Sequence, residues 1–358
     1  MDPRVYDHAD VLVDHSTEVT AADEVILTGH PVAEDLLVAV AERCGERGAN
    51  VSIHASSPRI RRAYLRAIDE ADLSESKVAL ASVEAADVYI AIRAATNTNE
   101  TSDVAPETNS RFAAVNKAVL DTRLDTRWVG TQYPAPANAQ DAEMSTAAYE
   151  DFVWNAIDKD WSAVREYQQQ LVDVLDPAEE VRIVSGDSTD VTMSIAGNPA
   201  INDFGKHNMP GGEVFTAPLP DSVDGEVLFD KPVMAQGREV EDVRLVFEDG
   251  AVVEHEAAKN EDVLAAVLAT DDGARRLGEL GLGLNRDIDT FTYNMLFDEK
   301  MGDTVHMALG RAYEDTVGEG NERNDSAVHM DMIVDMSEDS SIEVDGEVIQ
   351  RNGRFAFE

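Results

Sequence analysis

Two of the eight histidines stand near the C-terminal end of the chain among acidic residues, at spacings that could do chemistry. Around His329-Met330-Asp331 the stretch "AVHMDMIV" alternates small or apolar residues with polar ones and reads as a strand. In a strand, His329 and Asp331 project side by side from one face. An imidazole and a carboxylate aimed into apolar surroundings cost desolvation energy unless something pairs with them. A metal ion is one such partner and a plain hydrogen-bonded pair is another, and the pattern leaves both open. Three further stretches place ionisable groups where a purely structural protein rarely wants them. In "NMPGGEVFTAPLPDS", Glu213 follows two glycines and precedes an apolar strand start, with an exposed loop glutamate as the alternative. In "LGELGLGLN", Glu279 is the only charge in a Leu/Gly run. The glycines let neighbouring backbone approach closely, so this carboxylate is expected to be buried, where it is costly if unpaired. The third, "FDEKMGDTVHMALGRAY", carries Asp298, Glu299, Asp303, His306 and Tyr313.

Together these residues have the composition of a metal site. Two divalent ions need roughly four negative charges for neutrality, and Glu213, Glu279, Glu299 and Asp331 would supply them. Neutral His306 and His329 would complete a nitrogen/oxygen shell suited to Zn, Co or Mn. The single cysteine, Cys44, excludes an internal disulfide and a thiolate cluster, and fits a reducing cytoplasm. The competing reading is a non-catalytic protein whose acidic clusters bind cations for stability. Ligands set beside glycines and apolar residues favour a built site over a scattered surface cluster.

The elements that must position these residues fall into two textures. Up to about Pro177, strands and helices alternate. "EVILTG", the helix "PVAEDLLVAVAERCGERGA" and the strand "NVSIHA" make a strand–helix–strand unit, hence a right-handed crossover and a parallel sheet. "KVALAS" and "DVYIAIRA" continue the strand set, "SRFAAVNKAVLDTRL" reads as one helix, and "RWVGTQYP" as a strand. Helices are expected from about Ser145 to Leu175. Beyond Pro177 short strands and turns dominate, with Asp249-Gly250 and Asp345-Gly346 as hairpin turns and "NEDVLAAVLATDDGARRL" as one helix. The expected architecture is an α/β N-terminal domain (1–177) with a mainly parallel sheet, plus an α+β C-terminal domain (178–358) rich in antiparallel strands, which carries the candidate metal-site residues. No Gly-x-Gly-x-x-Gly or Walker loop supports nucleotide binding.

Charge narrows the partners. Seventy-one acidic against 29 basic residues give a net charge of −42, and only seven of the basic residues are lysines. Such a surface repels nucleic acid and anionic membranes, so neither is an expected partner. Regular apolar periodicity argues against an acidic disordered chain. A protein working in concentrated salt, where screening removes self-repulsion, accounts for the balance. "MDPRVYDHAD" lacks the basic and apolar regions of a signal peptide, and no apolar run approaches transmembrane length.

At the residues described, the chain resembles the M29 metallopeptidases, thermophilic-type aminopeptidases with two metal ions. The likeness is carried in order by "NMPGGEVFTAP", "LGELGLGLN", "LFDEKMGDTVHMALGRAY" and "HMDM", and in the first half by "VILTG" and "RWVGTQYPAPANAQDAEMSTAAYEDFVWNA". It implies a homodimer and a peptide substrate with a free N-terminus. It also implies Glu213, Glu279, His306, His329 and Asp331 as metal ligands and Tyr313 as an active-site tyrosine. Some members have a shorter gap between the glutamate matching Glu299 and the histidine, and here "KMGDTV" intervenes, so Asp303 is the alternative ligand. The implied cofactors are two divalent ions, Zn, Co or Mn, with Mg permitted. Such a pair makes water a nucleophile near neutral pH and polarises the scissile carbonyl. Glu279 or a neighbouring carboxylate would take the proton, and Tyr313 would donate a hydrogen bond to the oxyanion. Whether Glu279 bridges the metals or acts as the base stays open. So does a dinuclear hydrolase acting on another amide.

Overall fold

The computed structural model describes residues 1–358. The chain divides into two compact units, Met1–Lys159 with Gly205–Pro210, and Asp160–Phe204 with Gly211–Glu358.

The first unit is built on a parallel sheet. Its strands are β1 (Glu24–Gly29), β2 (Asn50–Ala55), β3 (Val88–Arg93) and β4 (Arg127–Gln132), in the order β2-β1-β3-β4, with the short strand Asn208–Met209 beside β4. Every pairing is parallel, which requires a crossover between neighbours. The helix Glu34–Glu46 makes the first crossover and buries Leu36, Leu37, Ala39, Val40 and Cys44 at helical spacing. Two expectations are corrected here. "KVALAS", expected as a strand, lies in the helix Lys77–Glu84, where the Ser76 hydroxyl accepts from the Ala79 N–H as an N-cap. Alanine-rich composition and that cap outweigh the β-branched valine. "SRFAAVNKAVLDTRL", expected as one helix, is two, Pro106–Val115 and Lys117–Leu124. They break at Asn116, whose side-chain amide bonds back to the Phe112 carbonyl.

The second unit is dominated by antiparallel sheets. An eight-stranded sheet runs in the order Ala251–Glu256, Val243–Glu248, Asp224–Phe229, Thr189–Ser194, Glu180–Ser185, Ser340–Val344, Glu347–Arg351, Arg354–Phe355. Asp249 and Asp345 both adopt positive φ in the turns expected at Asp-Gly. The helix expected over "NEDVLAAVLATDDGARRL" is shorter, Glu261–Leu268. Asp271 then accepts from the Ala274 N–H and starts a separate turn of 3₁₀ helix.

The sheet that matters for chemistry has five strands: β5 (Ile201–Asp203), β6 (Glu213–Thr216), β7 (Leu277–Gly283), β8 (Thr304–Gly310) and β9 (His329–Asp335). Their order is β9-β8-β7-β6-β5, antiparallel throughout. Its two faces have opposite characters. Leu280, Leu282, Val305, Met307, Leu309, Met330, Met332 and Val334 point into the apolar core of this unit. On the other face the register sets Glu279 opposite Ala308, and Ala308 opposite Asp331. Likewise Gly281 opposes His306, Gly283 opposes Glu213, and Gly310 opposes His329. Directly paired residues share a face, so the polar side chains rise together from a floor of Gly and Ala.

Candidate metal centre

Four neighbouring strands each contribute to one cluster: Glu213 from β6, Glu279 from β7, His306 from β8, and His329 with Asp331 from β9. The small residues between them make the room. A Cβ at Gly281 would lie 2.0 Å from His306 Nε2, so only glycine lets that imidazole lie over the adjacent strand. The Leu/Gly run around Glu279 is thus explained by the ring it must accommodate as well as by close backbone approach.

The donor atoms fall into two overlapping groups, Glu213–Glu279–His306 and Glu279–His329–Asp331, each with its ligand atoms within 4.8 Å of one another. Glu279 belongs to both. Its Oε1 lies 3.2 Å from His306 Nε2 and its Oε2 lies 3.6 Å from His329 Nε2. Glu213 Oε2 is 3.4 Å from His306 Nε2, and Asp331 Oδ1 is 3.4 Å from His329 Nε2. His329 Nδ1 lies 2.8 Å from the Arg311 carbonyl, which can only accept, so Nδ1 carries a proton and Nε2 faces the carboxylates. The expected side-by-side placement of His329 and Asp331 is therefore present.

Electrostatics mark the cluster as one that wants cations. Burial pushes the Glu213 carboxyl up to about 8, and burial also raises Glu279 above the ordinary carboxylate range. Burial opposes charge on His306, but the Glu279 hydrogen bond and the surrounding carboxylates win and carry it to about 9. His329 likewise rises to about 9: burial opposes its charge, but the hydrogen bond and charge of Asp331 outweigh it. For Asp331, burial is outweighed by the His329 hydrogen bond, and the carboxyl is held below its ordinary value. Glu213 Oε2 and Glu279 Oε2 are buried with no hydrogen-bond donor. Two orphaned carboxylate oxygens converging with imidazole nitrogens fit a divalent ion, and the nitrogen/oxygen donor set suits Zn, Co or Mn.

The remaining candidates divide. Glu299 lies outside both donor groups, and its Oε1 accepts from Lys300 Nζ, which also reaches Glu213 Oε1 at 2.9 Å. Asp303, the alternative ligand, is instead engaged by Arg286 Nε at 2.9 Å and belongs to neither group. Asp298 is spent on the local loop, accepting from Thr292 N and Oγ1 and from Asn294 N, and burial pushes it up to about 7. The Tyr313 ring is 47% exposed and tilts against His329 with centroids 4.9 Å apart. Its hydroxyl is pushed far up, first by desolvation and then by Glu279, Asp331, Glu299 and Glu213. It therefore stays a neutral hydroxyl near the carboxylates, on a side chain too exposed for a packed core tyrosine.

Sequence reasoning missed Lys300 and Asp203. Lys300 is fully buried, and burial disfavours its charge, but Glu213, Glu299 and Asp203 keep the ammonium protonated. The available signal was a lysine inside the acidic "FDEKMGD" of a lysine-poor chain. Asp203 carried none, because it comes from β5, ten positions before its pairing partner Glu213 across an irregular loop.

Comparison with known proteins bears on the family and the fold. A family model described as thermophilic metalloprotease (M29) matches residues 1–355. Aminopeptidase AmpS of Bacillus subtilis is 36% identical over 201 residues, 48% of each chain. Aminopeptidase 2 of Geobacillus stearothermophilus is 33% identical over 218 residues, 54% of this chain and 50% of the relative. The chain thus spans about half the length of the curated relatives it matches. Wild-type AmpT from Thermus thermophilus superposes with a TM-score of 0.87 at 24% identity, over 99% of each chain. A 2,5-dihydroxypyridine dioxygenase from Pseudomonas putida KT2440 superposes with a TM-score of 0.62 at 13% identity, covering 99% of this chain and 96% of that one. Both likenesses are of fold.

Proposed function

This chain belongs to the M29 family of thermophilic metalloproteases, and from that premise we propose that it is a metal-dependent aminopeptidase releasing single residues from peptide N-termini. The observation that carries the proposal is the pair of donor groups sharing Glu279 on one sheet face. Glu213, Glu279, His306, His329 and Asp331 would hold two divalent ions, Zn, Co or Mn, with Mg permitted, and Glu299 would act at the Lys300 end. When bound, the ions would supply an acidified water and a polarised carbonyl. Glu279, which lies in both groups, or a neighbouring carboxylate would take the proton of the attacking water and pass it to the leaving amine. Tyr313 donates its hydroxyl hydrogen to the oxyanion as the carbonyl becomes tetrahedral. A free substrate amine is positively charged near neutral pH and finds a carboxylate partner in the acidic site, which favours cleavage at N-termini over internal bonds.

The proposal is tested by hydrolysis of aminoacyl chromogenic amides, their N-acetylated counterparts and unrelated amides, in molar salt with each metal. Cleavage confined to free-amine substrates is expected. Equal cleavage of blocked or unrelated amides would instead favour a dinuclear hydrolase of another amide, a reading left open by a fold shared with a dioxygenase.

The −42 charge with seven lysines supports a chain adapted to concentrated salt. At ~1 M salt the Debye length is roughly 3 Å, so surface carboxylates hardly sense one another, whereas at ~0.01 M it is about 30 Å. Circular dichroism should show unfolding at low ionic strength, and full stability there would contradict this part. The reading extends to a cytoplasmic homodimer with the functional division of the sequence at Pro177, which is distinct from the compact-unit boundary at Lys159/Asp160. Sedimentation as a monomer in molar salt would remove the dimer. No helix is long and apolar enough to cross a membrane.

A further inference from the structure

Of the seven lysines, six are exposed or partly exposed, and Lys300 alone is buried. One lysine of a lysine-poor chain thus lies at 0% side-chain exposure beside the candidate metal centre. Its Nζ lies 2.9 Å from Glu213 Oε1, donates to Glu299 Oε1, and sits 3.8 Å from Asp203 Oδ2. Asp203 pairs with Glu213 across β5 and β6, so both project from the same face of the sheet.

Three carboxylates around one ammonium are too many for a simple stabilising ion pair. Buried pairs seldom outdo apolar packing even when balanced, and this one leaves an excess of negative charge. Full enclosure also removes Lys300 from contact with a substrate. What remains is its effect on the carboxylates. The ammonium occupies Oε1 of Glu213 and leaves Oε2 without a hydrogen bond, 3.4 Å from His306 Nε2. One oxygen is thereby fixed and the other is presented to the donor group. The charge count agrees, because Asp203, Glu213, Glu279, Glu299 and Asp331 carry five negative charges. Two divalent ions would supply four positive charges and Lys300 the fifth.

We infer that Lys300 is a positioning residue for the metal centre: a fixed internal cation that orients Glu213 and Glu299 and thereby sets the affinity of one of the two ion positions. The inference rests on the dinuclear metal reading. It predicts unequal dependence on Lys300, strong at the Glu213–His306 position and slight at the His329–Asp331 position, whose donors Lys300 does not touch.

The test is Co²⁺ titration of chelated full-length protein in molar salt, followed by calorimetry and visible absorption, with folding checked by circular dichroism. Wild type should take up two ions. Lys300→Met should lose about 10–100-fold in affinity for one ion, the usual cost of removing an outer-shell partner, and change the other by no more than about twofold. Its Co²⁺ spectrum should change with the weakened step. Lys300→Gln keeps an N–H donor without the charge and should recover part of the loss. Wild type taking up no Co²⁺ would remove the metal reading and this inference with it. Two ions bound alike by wild type and Lys300→Met, with one spectrum, would overturn the role of Lys300 and leave the metal reading standing. Failure of both variants to fold at saturating Co²⁺ would also overturn it, since a positioning donor is dispensable to the fold once the ions supply the charge.

Discussion

The two ends of the candidate centre are built differently. At one end His306 and Lys300 are completely enclosed, and Glu213 is 7% exposed at its side chain. At the other His329 is 25% exposed, Asp331 13%, and the Tyr313 ring is open on one side. Both ends use carboxylate and imidazole, and both share Glu279. Both ends offer donors for an ion, but only the end with His329, Asp331 and Tyr313 is open to solvent. In the proposed reading the enclosed end would hold its ion away from solvent, and the open end would meet the substrate beside the Tyr313 hydroxyl.

The largest expected effect breaks the open end outright. His329→Ala or Asp331→Ala should abolish hydrolysis and lower bound metal while the fold survives in molar salt. Normal metal content and turnover in either variant would remove these residues from the site. Next in size is Tyr313→Phe, which keeps the ring against His329 and removes only the donor. Losing one oxyanion donor typically costs about 2.7–4 kcal/mol of transition-state stabilisation, about 10²–10³ in turnover. Substrate affinity and bound metal should hardly change, because the oxyanion exists only after attack. Near wild-type turnover with metal in place would return Tyr313 to a packing role.

The closed end gives smaller, sharper contrasts. Glu299→Ala should weaken metal binding about 10–100-fold, as an outer-shell partner does, whereas Asp303→Ala should leave it unchanged, since Asp303 is engaged by Arg286. The reverse ranking would exchange their places. The smallest effect is on the pH dependence of stability. In metal-free protein His306 and His329 titrate at about 9 against an ordinary 6.5, so the stability they contribute is complete below 6.5 and lost as the pH rises through 9. Glu213, raised to about 8 from 4.5, loses its contribution in the same direction over its own window. The melting temperature of chelated protein should therefore fall between pH 6.5 and 9, with a shallower slope after metal is restored, because bound imidazoles are already deprotonated. Parallel slopes with and without metal would separate the histidines from the ions.

The same contrast explains what the sequence disclosed. The period-two pattern of "AVHMDMIV" announces β9, because that strand has one face in an apolar core and strand periodicity records it directly; the isolated charge in "LGELGLGLN" announces a buried carboxylate, and Glu279 is buried. Spacing could not announce that Glu213, Glu279, His306 and Asp331 meet, because the antiparallel sheet gathers residues 25 to 118 positions apart, from His306 and Asp331 on neighbouring strands to Glu213 and Asp331 on strands that do not pair. The family likeness supplied that step. Lys300 escaped because a lysine among carboxylates reads as surface until its burial is known. Spacing leaves Glu299 and Asp303 as alternatives, because sequence proximity to His306 says nothing about which way a turn residue at φ 58° points. In the first unit "KVALAS" was misread because alternating small and apolar residues fit a short strand and an alanine-rich helix equally well, and the Ser76 cap decides between them.

The central claim is that hydrolysis by this chain depends on ions held by Glu213, Glu279, His306, His329 and Asp331. The most direct measurement strips the protein with a chelator in molar salt, counts bound metal per chain, and follows hydrolysis of a free-amine aminoacyl amide as Zn²⁺, Co²⁺ or Mn²⁺ is returned. The account predicts that activity disappears with the metal and returns as two ions per chain are restored. Hydrolysis that persists in fully stripped protein, or folded protein that takes up no ion when metal is returned, would contradict it.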